Sequence, residues 1–436
     1  MRSRNRRRKS NQLKIPLIII ASLLAVIAIL FFVQTDYLNE ENETTDPAPS
    51  ESEEPSDDPD EEDASEEEPE DNKDSEEEES PESNEEPSEE EDESVRITAV
   101  GDIMVHDTQL ESAYDSESDS YDFQPFFEDI RPYMQDADLA IANLETTLAG
   151  PSIDYVGYPF FNSPDEIVDA LDYAGFDTLI TSNNHSLDTG RDGLIRTHEV
   201  IQEKGLEPIG TYPSEPSTRV AIKNVEGIDI AILSYTEMVN QVETQYSNEE
   251  LNTMLNLIDE QQILSDIEEA KEYEPDLILA YMHWGTEYER EPKELQTRVA
   301  EMMAQEGVDV ILGSHPHVIQ RSDFIEGDEQ ETFVAYSMGN FVSNQRVETL
   351  GDEYQPTEDG VIVNLDVVKD EETGDTSIEE VEYVPTWVYR FQEDGENRYR
   401  YRVLPIEDHL EDDDLPEDIQ ERLEESYQET RSRMDE

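Results

Sequence analysis

From Val95 onward the chain alternates between apolar blocks and polar breaks. Strand-like runs include Ile97-Thr98-Ala99-Val100, Leu139-Ala140-Ile141-Ala142, Asp177-Thr178-Leu179-Ile180-Thr181, Leu277-Ile278-Leu279-Ala280-Tyr281-Met282 and Val308-Asp309-Val310-Ile311-Leu312. Near-continuous apolar runs of this kind predict strands covered on both faces. Between them, Ser163-Pro164-Asp165-Glu166 offers an N-cap serine, a proline at the first helical position and a glutamate at N3. A helix is therefore expected from there to about Tyr173. Residues 191–204 and 292–306 also read as helices, stopped by Gly205 and Gly307. Residues 222–235 read as two strands around Glu226-Gly227. Past Tyr336 the pattern is mostly strand, at 361–368, 378–391 and 399–404, with Pro405 ending the last because it cannot donate to a ladder. A polar helix at about 417–434 follows. This order predicts an α/β fold, a layered α/β/β/α sandwich of two sheets with outer helices.

The first 94 residues follow another logic. Arg2, Arg4, Arg6, Arg7, Arg8, Lys9 and Lys14 precede an uncharged run at 15–33, close in length to the roughly 20 residues that cross a bilayer. The run ends Phe31-Phe32-Val33-Gln34-Thr35-Asp36, without the small-residue cleavage site of a signal peptide. The expectation is one transmembrane helix, the N-terminus cytoplasmic and the remainder extracytoplasmic, since basic flanks stay inside. A removed signal peptide is the alternative. From about Asn39 to Ser94 the residues are almost all Glu, Asp, Ser, Pro and Asn, with Lys73 the only basic one. Such a segment cannot bury enough apolar surface to fold, and its like charges hold it extended. The expected organisation is a basic head at 1–14, a membrane anchor at 15–33, a disordered acidic linker at 34–94, a core at 95–345, and C-terminal strands completing the sandwich with a terminal helix at 346–436.

Charge and cysteine content narrow the partners. The formal net charge is −83, from 112 acidic and 29 basic residues, so no nucleic-acid partner is expected. With no cysteine there is no disulfide, no thiolate metal site and no lipoprotein anchor. Removing the head and linker still leaves roughly −60 on residues 95–436. An acidic, lysine-poor surface of that kind suits solubility at high salt.

Five of the seven histidines fall just after the strand-like runs. In open α/β sheets, sites gather where carboxyl ends of strands converge. Imidazole, carboxylate and amide groups delivered there, without thiols, suit a borderline or hard divalent metal. Asp102 follows Gly101 at the end of the first run, as a metal ligand or as a turn cap. His106 is a ligand or a core histidine, in either case secondary. Asn143 and Glu145 leave their strand on one face and form a hard-metal or sugar-binding pair, or merely a polar strand end. In Asn183-Asn184-His185-Ser186-Leu187-Asp188, an asparagine and His185 offer an amide ligand and an acid/base imidazole, with Asp188 placed to orient the ring; an Asn-rich turn is the plainer reading. His283 is followed four residues on by Glu287. In Gly313-Ser314-His315-Pro316-His317 the two imidazoles at i and i+2 project the same way if the segment is extended, as Pro316 favours. Ser337 and Asn340, after another strand, are expected to line the pocket.

At these residues the chain resembles the CapA/PgsA family of poly-γ-glutamate capsule synthesis proteins, which have a metallophosphatase-like (calcineurin-like) fold. The matching blocks are Gly101-Asp102-Ile103-Met104, Asn143-Leu144-Glu145, Asn183 to Asp188, His283-Trp284-Gly285-Thr286-Glu287, Gly313 to His317 and Tyr336-Ser337-Met338-Gly339-Asn340-Phe341. The resemblance implies metal ligation by Asp102, Glu145, Asn184, His283, His315 and His317, and acid/base work by His185 with Asp188. Asn143, Glu287, Ser337 and Asn340 become candidates for substrate contact. Two departures stand out: Met104 takes the place of the usual first-motif histidine, and Glu145 that of a bridging aspartate. One or two divalent ions, Mn, Zn or Fe, are thus implied. The implied role is membrane-anchored, extracytoplasmic synthesis or export of capsule polymer, an anionic polymer substrate, beside other subunits of a poly-γ-glutamate synthase complex. The alternatives are a non-catalytic polymer-binding subunit and a cell-envelope metallophosphoesterase.

Overall fold

A computed structural model describes residues 93–240, 245–327, 330–370, 372–393 and 395–435. The expected membrane span and nearly all of the acidic linker lie outside the described residues. No helix among the described residues is long and apolar enough to cross a membrane. One boundary moves. Glu93 and Ser94, assigned above to the linker, are already strand, because they pair with Lys369 and Val368.

In chain order the strands are β1 (Glu93–Ile103), β2 (Tyr114–Asp115), β3 (Ser120–Tyr121), β4 (Leu139–Leu144), β5 (Thr178–Ile180), β6 (Glu207–Ile209), β7 (Ala221–Val225), β8 (Ile228–Thr236), β9 (Leu277–His283), β10 (Val310–Ser314), β11 (Ser322–Glu326), β12 (Glu331–Ala335), β13 (Asn340–Val342), β14 (Asp359–Lys369), β15 (Thr376–Phe391) and β16 (Arg400–Pro405). One sheet runs β16-β15-β14-β1-β4-β5-β6, with β13 beside the far end of β1. The other runs β11-β12-β10-β9-β8-β7. Within the first, β1, β4, β5 and β6 are parallel; within the second, β8, β9, β10 and β12 are.

Burial explains why the strands read as unbroken apolar runs. Ile97, Ala99 and Ile141 of the first sheet pack against Ile232, Leu279, Leu312 and Phe333 of the second. The alternate residues Val100, Ala142 and Leu179 turn outward onto Ile167 and Leu171 of the helix Glu166–Ala174. On the far side, Ala280, Met282 and Ile311 meet Ile267 of the helix Glu260–Glu272 and Met303 of the helix Glu294–Gln305. The result is a mixed α/β fold in four layers, helix, sheet, sheet, helix. Each large aliphatic side chain so buried contributes on the order of 1.5–3 kcal/mol.

The helix opened by Pro164 departs from expectation at its start. It runs Glu166–Ala174 with Asp165 in the N-cap place and no side-chain cap. The Ser163 hydroxyl instead bonds Thr146 Oγ1 at 2.8 Å, so a tertiary partner has taken the group that would have capped. Gly175 ends the helix in the left-handed region, φ 108°.

Candidate metal centre

The carboxyl ends of β1 and β4 in one sheet, and of β9 and β10 in the other, bring the polar residues together. Asp102 sits past a bulge: Val100 pairs with Ala142, Gly101 is skipped, and Asp102 pairs with Asn143. A bulge re-aims the next side chain. Gly101 permits it, because a Cβ there would lie 2.0 Å from the Gly339 carbonyl oxygen. Gly313 has the same role on β10, where a Cβ would lie 2.0 Å from the Tyr336 oxygen. His283 closes β9 opposite Ser314 of β10.

Asn143 ties the cluster together. Its Nδ2 donates to Asp102 Oδ1 at 2.8 Å and lies 3.4 Å from Glu145 Oε2 and 3.3 Å from His283 Nδ1. Its own Oδ1 accepts from Asn183 Nδ2 at 3.1 Å. His283 Nδ1 also lies 2.9 Å from Ser314 Oγ, and its Nε2 2.9 Å from Asn184 Oδ1. Those partners assign the His283 proton to Nε2. His317 Nδ1 faces two acceptors, Asp102 Oδ2 at 3.0 Å and Asn340 Oδ1 at 3.1 Å, so it carries the proton and leaves Nε2 a bare lone pair. His185 Nδ1 donates to Asp188 Oδ2 at 2.6 Å, which leaves Nε2 as an acceptor with Asn240 Nδ2 at 3.4 Å.

Glu145 Oε1 is buried and has no hydrogen-bond partner among the described residues. Around it stand the Nε2 atoms of His185 at 3.9 Å, His283 at 3.8 Å and His317 at 3.8 Å. The His317 nitrogen turns its lone pair toward a carboxylate oxygen, an electron-rich arrangement that calls for a cation. The spacing is too long for hydrogen bonds. It suits a shared ion, since Zn–N and Zn–O bonds of about 2.1 Å let one metal touch donors up to about 4.2 Å apart. Two triads have their donor atoms within 4.8 Å of one another, Glu145-His315-His317 and Asp102-Glu145-His283, with Glu145 common to both. The residues fit one metal, or two bridged by Glu145.

The pair His315 and His317 converges by a route the sequence concealed. The segment is not extended. His315 has φ 96° and His317 φ 57°, both in the left-handed region. Their ring centroids are 5.8 Å apart, and His315 stands 4.7 Å from His283. The His315 amide donates to Asp102 Oδ2 at 3.2 Å, which holds the turn against its preference. A non-glycine residue in such a region costs of order 1–3 kcal/mol.

Electrostatics follows from burial. Burial raises Asp102, yet the His317 hydrogen bond, the nearby His317 and His283 charges and the Asn143 amide together hold it well below the usual carboxylate range. Burial and then the Asp102 charge push Glu145 well above it. Burial, then the neighbouring His315, pushes His283 far down, and burial with His317 brings His315 to about 3. Neutral imidazoles are the ligand form.

A cavity of about 400 Å³ opens beside the cluster, lined by His185, His317, Met104, Tyr158, Glu287 and Tyr288 among others. Glu287 is an exposed carboxylate at its mouth. Three expected substrate contacts turn out otherwise. The Ser337 hydroxyl is buried and donates to the Val318 carbonyl at 2.8 Å, supporting the turn rather than the cavity. Asn340 is fully buried against His317, with Nδ2 donating to the Thr357 carbonyl at 2.9 Å. Asn143 is equally enclosed and positions ligands. Sequence reasoning missed Ser314 and Asn240, whose Nδ2 stands 3.4 Å from His185 Nε2. No local signal marks Asn240; Ser314 was visible only as a neighbour of His315.

The model of the bacterial capsule synthesis protein family PGA_cap matches residues 96–345. The capsule biosynthesis protein CapA of Bacillus anthracis is 28% identical over 263 residues, covering 58% of this chain and 61% of its own length. The PGA biosynthesis protein CapA of Bacillus subtilis is 30% identical over 182 residues, 41% of this chain and 46% of its own. The chain thus spans only about half to three-fifths of the curated relatives it matches. Among solved structures, the calcineurin-like phosphoesterase YfkN of Bacillus subtilis aligns over 78% of this chain and 98% of its own at 13% identity, with a TM-score of 0.40. With a family model matching more than half of its length, through the segment that carries every candidate ligand, this chain belongs to the bacterial capsule synthesis protein family PGA_cap.

Proposed function

We propose that this chain serves the synthesis or export of an anionic capsule polymer, poly-γ-glutamate, as a membrane-anchored extracytoplasmic protein with a metallophosphatase-like hydrolytic centre. The observation that carries the reading is the bare Glu145 oxygen ringed by imidazole nitrogens at 3.8 to 3.9 Å. Asp102, Glu145, Asn184, His283, His315 and His317 would hold one or two divalent ions, Mn, Zn or Fe. A bound ion there activates water and polarises the scissile group. Asn143 and Asn340 fix the donors in place, as polar neighbours of metal ligands do. His185, oriented by Asp188 through Nδ1, presents Nε2 toward the cluster, and as the imidazolium, with its second proton held on Nε2, it would give that proton to the leaving group.

Replacing His315 and His317 together by Ala tests the centre. Metal copurifying with the full chain should be lost, and with it polymer yield in the producing cell. A double variant with wild-type metal content would show that the ligands have been misassigned.

A further inference from the structure

His106 lies at the start of the helix Asp107–Ala113, on the wall of the cavity beside the metal cluster. Its ring is held in one tautomer. The Asn344 backbone N–H donates to His106 Nδ1 at 3.2 Å. Gln109 Oε1 also lies 3.2 Å from Nδ1, but it already accepts from the His106 backbone N–H at 2.9 Å. A proton on Nδ1 would therefore strand the buried Asn344 amide, whereas a proton on Nε2 strands nothing. Leaving a buried donor unpaired is the costlier choice. The proton belongs on Nε2, which has no partner among the described residues and is not sealed from solvent. The Phe161 ring stands edge-on to both imidazoles, its centroid 5.2 Å from that of His106 and 4.7 Å from that of His185, so one aromatic side chain sets the spacing of the two.

The rest of the cavity wall says what such a donor would meet. Among the described residues no lysine or arginine lines it; Asp107 and Glu287 do, and Tyr158, Tyr288 and Leu350 supply apolar surface. Among the described residues this wall has no fixed cation to hold a second anionic group. We propose that His106 is a substrate-positioning residue whose Nε2–H donates to an uncharged acceptor oxygen, a carbonyl or hydroxyl, on the body of a substrate whose anionic end lies at the metal cluster. The proposal rests on the hydrolytic reading above for the anionic end, and on the cavity geometry for the body. Burial, offset in part by Gln109, brings His106 down to about 4, so the ring remains a neutral donor near pH 7.

The test is a cycle between protein and ligand on the metal-loaded full chain. Phenyl phosphate is compared with aryl phosphates carrying a carboxamide at the ortho, meta or para position. At least one carboxamide should lower KM about 3- to 10-fold in the native protein, the worth of one neutral hydrogen bond, with kcat little changed. His106→Ala should erase that advantage at unchanged metal content, and His106→Gln, which keeps a donor near the place of Nε2, should restore part of it. An advantage that survives His106→Ala overturns the proposal. Should the metal-replete native protein turn over none of these esters, the hydrolytic reading fails by itself. The same cycle is then read as calorimetric affinity for the corresponding arylphosphonates, where equal affinity with and without carboxamide, or no binding of either, overturns the role of His106.

Discussion

Glu145→Gln should have opposite effects on stability with and without metal. Glu145 is fully buried, and burial together with the Asp102 charge raises its carboxyl well above the ordinary value of 4.5. A carboxyl raised on folding costs nothing below its unfolded pKa. Its cost grows as pH climbs above that value, until the folded-state pKa is passed. Near neutrality the metal-free protein therefore carries a penalty that the amide removes. Taking the scale of an unsatisfied buried polar group, about 1–3 kcal/mol, the variant should be the more stable protein in chelator by that order. An unfolding entropy of about 2.1 cal/mol/K per residue over about 340 ordered residues converts this to a rise in Tm of roughly 1.5–4 °C. With metal at about a thousandfold excess over Kd, the native protein gains about 4.1 kcal/mol and the variant, lacking the shared ligand, gains little. Calorimetric scans in chelator and in manganese should thus rank the two proteins in opposite orders. A variant that melts below the native protein in chelator, or that shows the full metal-induced shift, would refute the argument.

Three further outcomes are expected. His185→Ala should lower turnover of a model ester by roughly 10²-fold while metal content and Tm stay close to native, the scale of an acid/base group; an unchanged rate in metal-replete protein removes its role. Asp309→Asn should stabilise the domain by about 1–2 kcal/mol at pH 7 and not at pH 4. Burial raises the Asp309 carboxyl to about 6, its side chain accepts from the Ile278 amide at 2.6 Å, and the amide oxygen keeps that bond; denaturant midpoints at the two pH values decide it. Protease added to wall-stripped cells should digest the folded domain or release it by cutting the acidic linker, whereas protection that disappears on lysis would reverse the assigned orientation.

What could be read from the chain beforehand follows a physical boundary. Strands covered on both faces leave an apolar run that no turn-like segment imitates, so β1, β4, β9 and β10 were visible, as were helices stopped by Gly205 and Gly307. Polar residues just past those runs were legible for the same reason. Contacts across long sequence separations were not. Nothing near Asn240 marks it as a neighbour of His185, and Ser337 looks the same in sequence whether it faces a cavity or a carbonyl. The His315 turn was misread because Pro316 argues for extension, while the left-handed backbone is imposed by Asp102, more than two hundred residues away. Ser163 failed as a cap for a like reason, a nearer hydroxyl on Thr146.

The costs of this fold collect at one place. His315 and His317 sit in backbone conformations worth of order 1–3 kcal/mol each, Glu145 keeps an orphaned oxygen, and the His317 lone pair faces it. Each of these is unfavourable in the metal-free protein, and a shared divalent ion would offset the last two together. The backbone strain is of another kind, since a ligand does not relieve a dihedral angle. It persists because the His315 amide is held by Asp102 Oδ2 at 3.2 Å and the His317 ring by Asp102 and Asn340. That constraint aims His315 and His317 before any ion arrives. A prepared donor set of this kind gains affinity by avoiding reorganisation on binding. On this reasoning, relaxing the turn while keeping both imidazoles should cost metal affinity more than it costs fold.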